Sequence, residues 1–88
     1  MEIKGTYYSY SNHGYLAVKL KDVIDLGIRD LITEYSFYNA TTAYLEEDCD
    51  MPLFVKTLKA LGYTLNCNET YFFGAPSYFK NLDRFNKE

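Results

Sequence analysis

A period of two over residues 15–20 limits this chain more than any other feature. Leu16, Val18 and Leu20 alternate with Tyr15, Ala17 and Lys19. Side chains two apart share one face of a strand, so this stretch reads as a half-buried strand. Residues 3–10, just before it, are rich in Thr and Tyr, which suit strands. Ser11-Asn12-His13-Gly14 is a turn cluster, where Asn and Gly tolerate positive φ. The spacing predicts a hairpin over 3–20.

Residues 21–38 admit two readings. Ile24, Ile28, Leu31, Tyr35 and Tyr38 recur at 4-3-4-3, which fits one helix over 21–38. Gly27 within it would cost only about 1 kcal/mol against Ala. Thr33-Glu34-Tyr35-Ser36-Phe37-Tyr38-Asn39 is poor helix material, however, and Leu31, Tyr35 and Phe37 also fit a period of two. The preferred reading is a short helix from Lys21 to Leu26, stopped by Gly27, then a strand at 32–38.

Asn39-Ala40 turns the chain into a strand from Thr41 to Leu45. Asp50 suits an N-cap and Pro52 a first helical turn. A helix over about 51–61 follows, with Leu53 or Phe54, Leu58 and Leu61 inward and Gly62 closing it. Residues 63–73 read as extended, with a candidate break at Asn66-Cys67-Asn68. Gly74-Ala75-Pro76 opens a last helix over about 76–84, with Phe79, Leu82 and Phe85 on one face. The tail after about 85 is expected to fray. The expected fold is a single α+β domain over 1–88. It has a mainly antiparallel sheet of about four to five strands, and two to three short helices on one face.

At 88 residues the core is modest. Ten Tyr and six Phe enlarge it, and several of the rings are expected to reach the surface. The net charge of −3 is uneven. Residues 1–50 carry nine acids and four bases, a balance of −5; residues 51–88 carry five bases and three acids, a balance of +2. No basic patch is visible, which argues against direct nucleic-acid binding. No run of ~18 apolar residues points to a membrane span. Met1-Glu2-Ile3-Lys4 leads into a polar, Tyr-rich run and not an apolar leader, so a cytoplasmic location is expected. Cys49 and Cys67 are expected as free thiols there, Cys49 as a small buried plug before the helix.

Charge is most concentrated in Tyr44-Leu45-Glu46-Glu47-Asp48-Cys49-Asp50-Met51-Pro52, with four carboxylates in five residues. A helix N-terminus favours negative charge, which explains Asp50, extends to Asp48 and does not explain the whole run. Three functions compete with simple capping. The acids, ringed by Tyr, form an exposed rim that docks on a basic protein surface. Alternatively, Glu46, Glu47, Asp48 or Asp50 bind a hard cation such as Mg²⁺ or Ca²⁺. A catalytic or zinc site with His13 and a cysteine is the weakest, because neither Cys49 nor Cys67 lies in a Cys-x-x-Cys pair.

Two segments together resemble a family of small proteins from bacteriophage genomes and related mobile elements. One is His13-Gly14-Tyr15-Leu16 with Leu26-Gly27-Ile28 and Ile32-Thr33-Glu34-Tyr35-Ser36-Phe37. The other is Tyr44-Leu45-Glu46-Glu47-Asp48-Cys49-Asp50 followed by Phe54. Tyr78-Phe79-Lys80-Asn81-Leu82-Asp83-Arg84-Phe85 is a looser likeness, and Met51-Pro52 departs from the small residue usual after the acidic run. The resemblance implies an origin and no mechanism. The reading is then a non-enzymatic interaction module that modulates a host protein, for example by blocking the basic groove of a nucleic-acid-binding or defence protein. Its binding residues are Glu46, Glu47, Asp48, Asp50, Tyr44, His13 and Tyr15. No catalytic residue and no cofactor is assigned. A metal-binding protein or metal-dependent enzyme is the alternative. Self-association through the Tyr-rich surface, as in a homodimer, is the third reading.

Overall fold

Strand β1 (Glu2–Tyr10) and strand β2 (His13–Lys19) form the hairpin that the alternation predicts, with Tyr7 opposite Leu16 and Tyr10 opposite His13. The computed structural model describes residues 1–10, 12–72 and 77–86. Ser11 of the turn, the Gly74-Ala75-Pro76 helix opening and residues 87–88 of the tail lie outside the described residues.

Helix α1 (Leu20–Asp25) is short and stops at Gly27, whose φ of 75° is left-handed and suits glycine. The continuous helix over 21–38 does not form. The strand expected at 32–38 shrinks to β3 (Phe37–Tyr38), after a 3-10 turn at Arg29–Leu31. The cause lies outside the segment. Asp50 captures Thr33 and Ser36 through hydrogen bonds and bends 33–36 into a turn. The Asn39 side chain then accepts from the N–H groups of Thr41 and Thr42, both at 2.9 Å, and turns the chain into β4 (Thr42–Glu46).

Helix α2 (Met51–Ala60) and strand β5 (Thr64–Phe72) follow. β5 runs unbroken through Asn66-Cys67-Asn68. Among the described residues the sheet has six strands in the order β5-β1-β2-β4-β3-β6, where β6 is Asp83–Arg84. All its pairs are antiparallel except β1 with β5. That exception follows from α2. The helix carries the chain from the end of β4 back across the sheet, so β5 starts again in the direction of β4 and of β1. No helix among the described residues is long and apolar enough to cross a membrane.

The two faces of the sheet are packed differently. Ile3, Leu16, Val18, Ala43 and Leu45 meet Val23 of α1 and Phe54 and Leu58 of α2, with Ile28, Ile32 and Phe85 closing the core. Each of these side chains other than Ala43 contributes roughly 1.5–3 kcal/mol by leaving water. Leu61, expected inward, is 52% exposed because it lies past the last turn of α2. On the other face, Tyr15, Tyr44 and Phe79 form a second cluster with Tyr8 and Phe37. The Phe79 ring meets Tyr15 edge-on at 5.5 Å and lies 5.2 Å from Tyr44.

The last predicted helix is corrected. Ser77–Asn81 is a 3-10 turn and β6 follows it. Phe79 and Phe85, expected on one helical face, lie on opposite sides of the sheet. At the tail, Asn86 is held by its side-chain amide, which donates to the Ile32 carbonyl at 2.7 Å.

Candidate functional site

The acidic run forms the turn that joins β4 to α2, and each carboxylate leaves it in its own direction. Glu46 folds back on the turn. Its Oε2 accepts from the N–H of Asp48 at 3.0 Å and of Cys49 at 2.9 Å. Its own N–H donates to Ser36 Oγ at 2.8 Å, so Glu46 holds the turn at both ends.

Asp50 points inward. It is 1% exposed and accepts from the Thr33 N–H at 2.9 Å, the Thr33 hydroxyl at 2.7 Å and the Ser36 hydroxyl. It stands at the N-cap position of α2, but its side chain makes no cap hydrogen bond. Both the capping role and the exposed-rim role expected of Asp50 are therefore corrected. A carboxylate with three donors around it is a buried tie between the 33–36 turn and the helix.

Glu47 is exposed and accepts a hydrogen bond from the Tyr7 hydroxyl. The pair lies across Gly14, where a Cβ would collide with the Tyr7 hydroxyl and come 2.7 Å from Glu47 Oε2. Only glycine permits this close approach. Burial, then the Glu47 hydrogen bond and the charges of Glu47, Asp48 and Glu69, push the Tyr7 hydroxyl up to about 12. Asp48 is exposed. Among the described residues neither Glu47 nor Asp48 forms an ion pair, while Lys21 and Arg29 pair with Asp25 and Asp30.

The aromatic ring of the expected rim is also corrected. Tyr15 and Tyr44 are each 7% exposed, held in the second aromatic cluster by β2 and β4. His13 and Tyr15 do come near the run. They share a shallow depression with Tyr35, Glu46, Asp48, Cys49 and Arg84.

Cys49 is exposed, not a buried plug, because it sits on the outer side of the turn. Its hydrogen bond to Glu46 is the chief cause that raises its thiol from 9.0 to about 11. Burial, with the charges of Glu46, Asp50 and Asp48, adds to this. Cys67 is free and exposed, and its thiol is raised chiefly by burial. Both changes reduce thiolate and run opposite to what activates a nucleophile.

On the helix side of the sheet, a second depression is lined by Tyr7, Glu47, Met51, Leu65, Cys67 and Glu69. Tyr7 and Glu69 are register partners across the parallel β1–β5 pair. Neither was singled out by sequence. The signal was present, since Leu65, Cys67 and Glu69 share one parity, but the strand that would sit beside β5 could not be read from it. On the opposite face, Lys4 and Lys19 line an open hollow with Thr6, Thr42, Asn66 and Asn68. Glu47 and Glu69 thus lie on one side of the β1–β5 pair and Lys4 on the other. Among the described residues no group of three or more His, Cys, Asp or Glu could hold a metal ion.

Comparison with models of known protein families, with curated proteins and with solved structures gives no match.

Proposed function

We propose that this chain is a non-enzymatic interaction module that docks an acidic edge on a basic protein surface. The observation that supports this most is the state of Glu47 and Asp48. Both are exposed at the β4–α2 turn and, among the described residues, unpaired with any base. Exposed acids without a cationic partner raise the rate of encounter with a basic surface. Glu69 extends the same field along β5.

The docking residues are Glu47, Asp48 and Glu69, with Tyr7 and Tyr35 as half-exposed and exposed rings beside the charge. Glu46 and Asp50 support them by shaping the turn. The resemblance to bacteriophage proteins makes the partner a host protein with a basic surface, reached in the host cytoplasm, and the effect of docking an inhibitory one. The metal and catalytic readings draw no support from geometry in which the acids diverge and both thiols are raised.

The test is recovery of partners from host lysate with the parent chain and with the Glu47→Gln, Asp48→Asn, Glu69→Gln variant, at low and at high salt. The reading expects a basic protein that is recovered by the parent at low salt and lost with the variant. Equal recovery by both chains would contradict it.

A further inference from the structure

The two edges of the sheet differ in a way that bears on how a partner would be held. At one end, β6 has two residues, Asp83 and Arg84, both charged. Short, charged edge strands are a common protection against pairing with other chains. At the other end, β5 has nine residues, all in register with β1 on its inner side. Among the described residues no strand pairs with its outer side. It contains no Pro, Lys or Arg, and its one charge is Glu69. One edge is blunted and the other is left open.

Beside the open edge lies the depression on the helix side. Met51 and Leu65 give it aliphatic lining, and Glu47 and Glu69 supply its charge, with no base among the described residues that line it. A strand laid along β5 would direct every second side chain over this depression. An aliphatic stem ending in a cation suits that surface, the stem on Met51 and Leu65 and the head between the carboxylates. The alternate side chains would face Asn66 and Asn68, which are exposed and polar.

We propose that the edge of β5 takes up an extended basic segment of a partner by strand addition, with Lys or Arg at alternate positions read by Glu47 and Glu69. This rests on the acidic-docking reading and adds the mode of recognition. Backbone hydrogen bonds along β5 hold the segment, and the alternation of the two faces selects it.

The experiment uses the full chain and a synthetic nine-residue peptide with lysine at alternate positions and threonine or valine between them. A peptide of the same composition with its lysines in one block is the control. Two further versions carry N-methyl groups on one or the other alternate set of amides. Binding is followed by amide shifts and hydrogen exchange. The alternating peptide is expected to protect β5 amides and to bind more tightly than the block peptide. One N-methylated version should lose about tenfold or more in affinity, from lost backbone hydrogen bonds, and the other little. Glu47→Gln with Glu69→Gln should weaken the alternating peptide and flatten its salt dependence. If the acids matter but neither methylated set does, docking stands and strand addition falls. If one methylated set matters but the acids do not, the basic occupant is wrong. Protection of β5 that grows with chain concentration alone, without peptide, would assign the edge to a second copy and overturn the proposal, as would absence of binding.

Discussion

The Tyr7 hydroxyl donates to the Glu47 carboxylate across the bare backbone of Gly14. One contact thus joins β1, β2 and the acidic turn, and it makes Tyr7 a reporter of the charge around it.

Tyr7 is pushed from 10.0 up to about 12, chiefly by burial and then by Glu47. A raised value in the folded state means its stabilising contribution is complete below pH 10 and is lost as pH rises through about 12. Melting temperature should therefore fall across this window by more in the parent than in Tyr7→Phe. Equal slopes in the two proteins would show that the Tyr7 hydroxyl is not raised in the folded state.

Gly14→Ala should force the Tyr7 ring away from Glu47. We expect a stability loss of about 1–2 kcal/mol, in the range of overpacking. The Tyr7 titration, followed by ultraviolet difference, should move back toward 10. A variant that kept the raised titration would contradict the close approach.

Asp50→Ala should be the most damaging change in the acidic run, at about 3 kcal/mol, because it strips three donors of their acceptor in a buried place. Asp48→Asn should stay within about 0.5 kcal/mol. Chemical denaturation of both variants checks the ranking. A reversed order would return Asp50 to the surface.

Cys49 should be sluggish toward iodoacetamide. Moving its thiol from 9.0 to about 11 cuts thiolate about a hundredfold near neutral pH, and the greater nucleophilicity of a more basic thiolate recovers about tenfold, leaving about a tenfold deficit. Glu46→Gln should restore much of the rate. An unchanged rate would remove Glu46 as the cause.

The sequence showed those features that depend on neighbours along the chain. The 3–20 hairpin was legible from alternation, and α2 from Pro52 in its first turn and Gly62 after it. What failed depended on long-range partners. Residues 32–36 have strand character, yet Asp50, far ahead in the chain, bends them. Phe79 and Phe85 have helical spacing, yet the chain threads them to opposite faces of the sheet. Period two marks β5 as a strand but carries nothing about its parallel neighbour, so the meeting of Tyr7 with Glu69 was hidden. Within the acidic run the sequence gives the number of charges and no directions. A tight turn rotates successive side chains apart, which is why Asp50 is buried while Asp48 faces water.

In the proposed function, exposed acids on the β4–α2 turn and β5 draw in a basic partner. The most direct measurement is the association rate of the recovered partner with the parent and with Glu47→Gln, Asp48→Asn, Glu69→Gln, from 0.1 M to 1 M salt. Over this range the Debye length falls from ~10 Å to ~3 Å. The parent rate is expected about tenfold or more above the variant at low salt, with convergence of the two at high salt. Equal rates at low salt, or a difference that salt does not reduce, would contradict it.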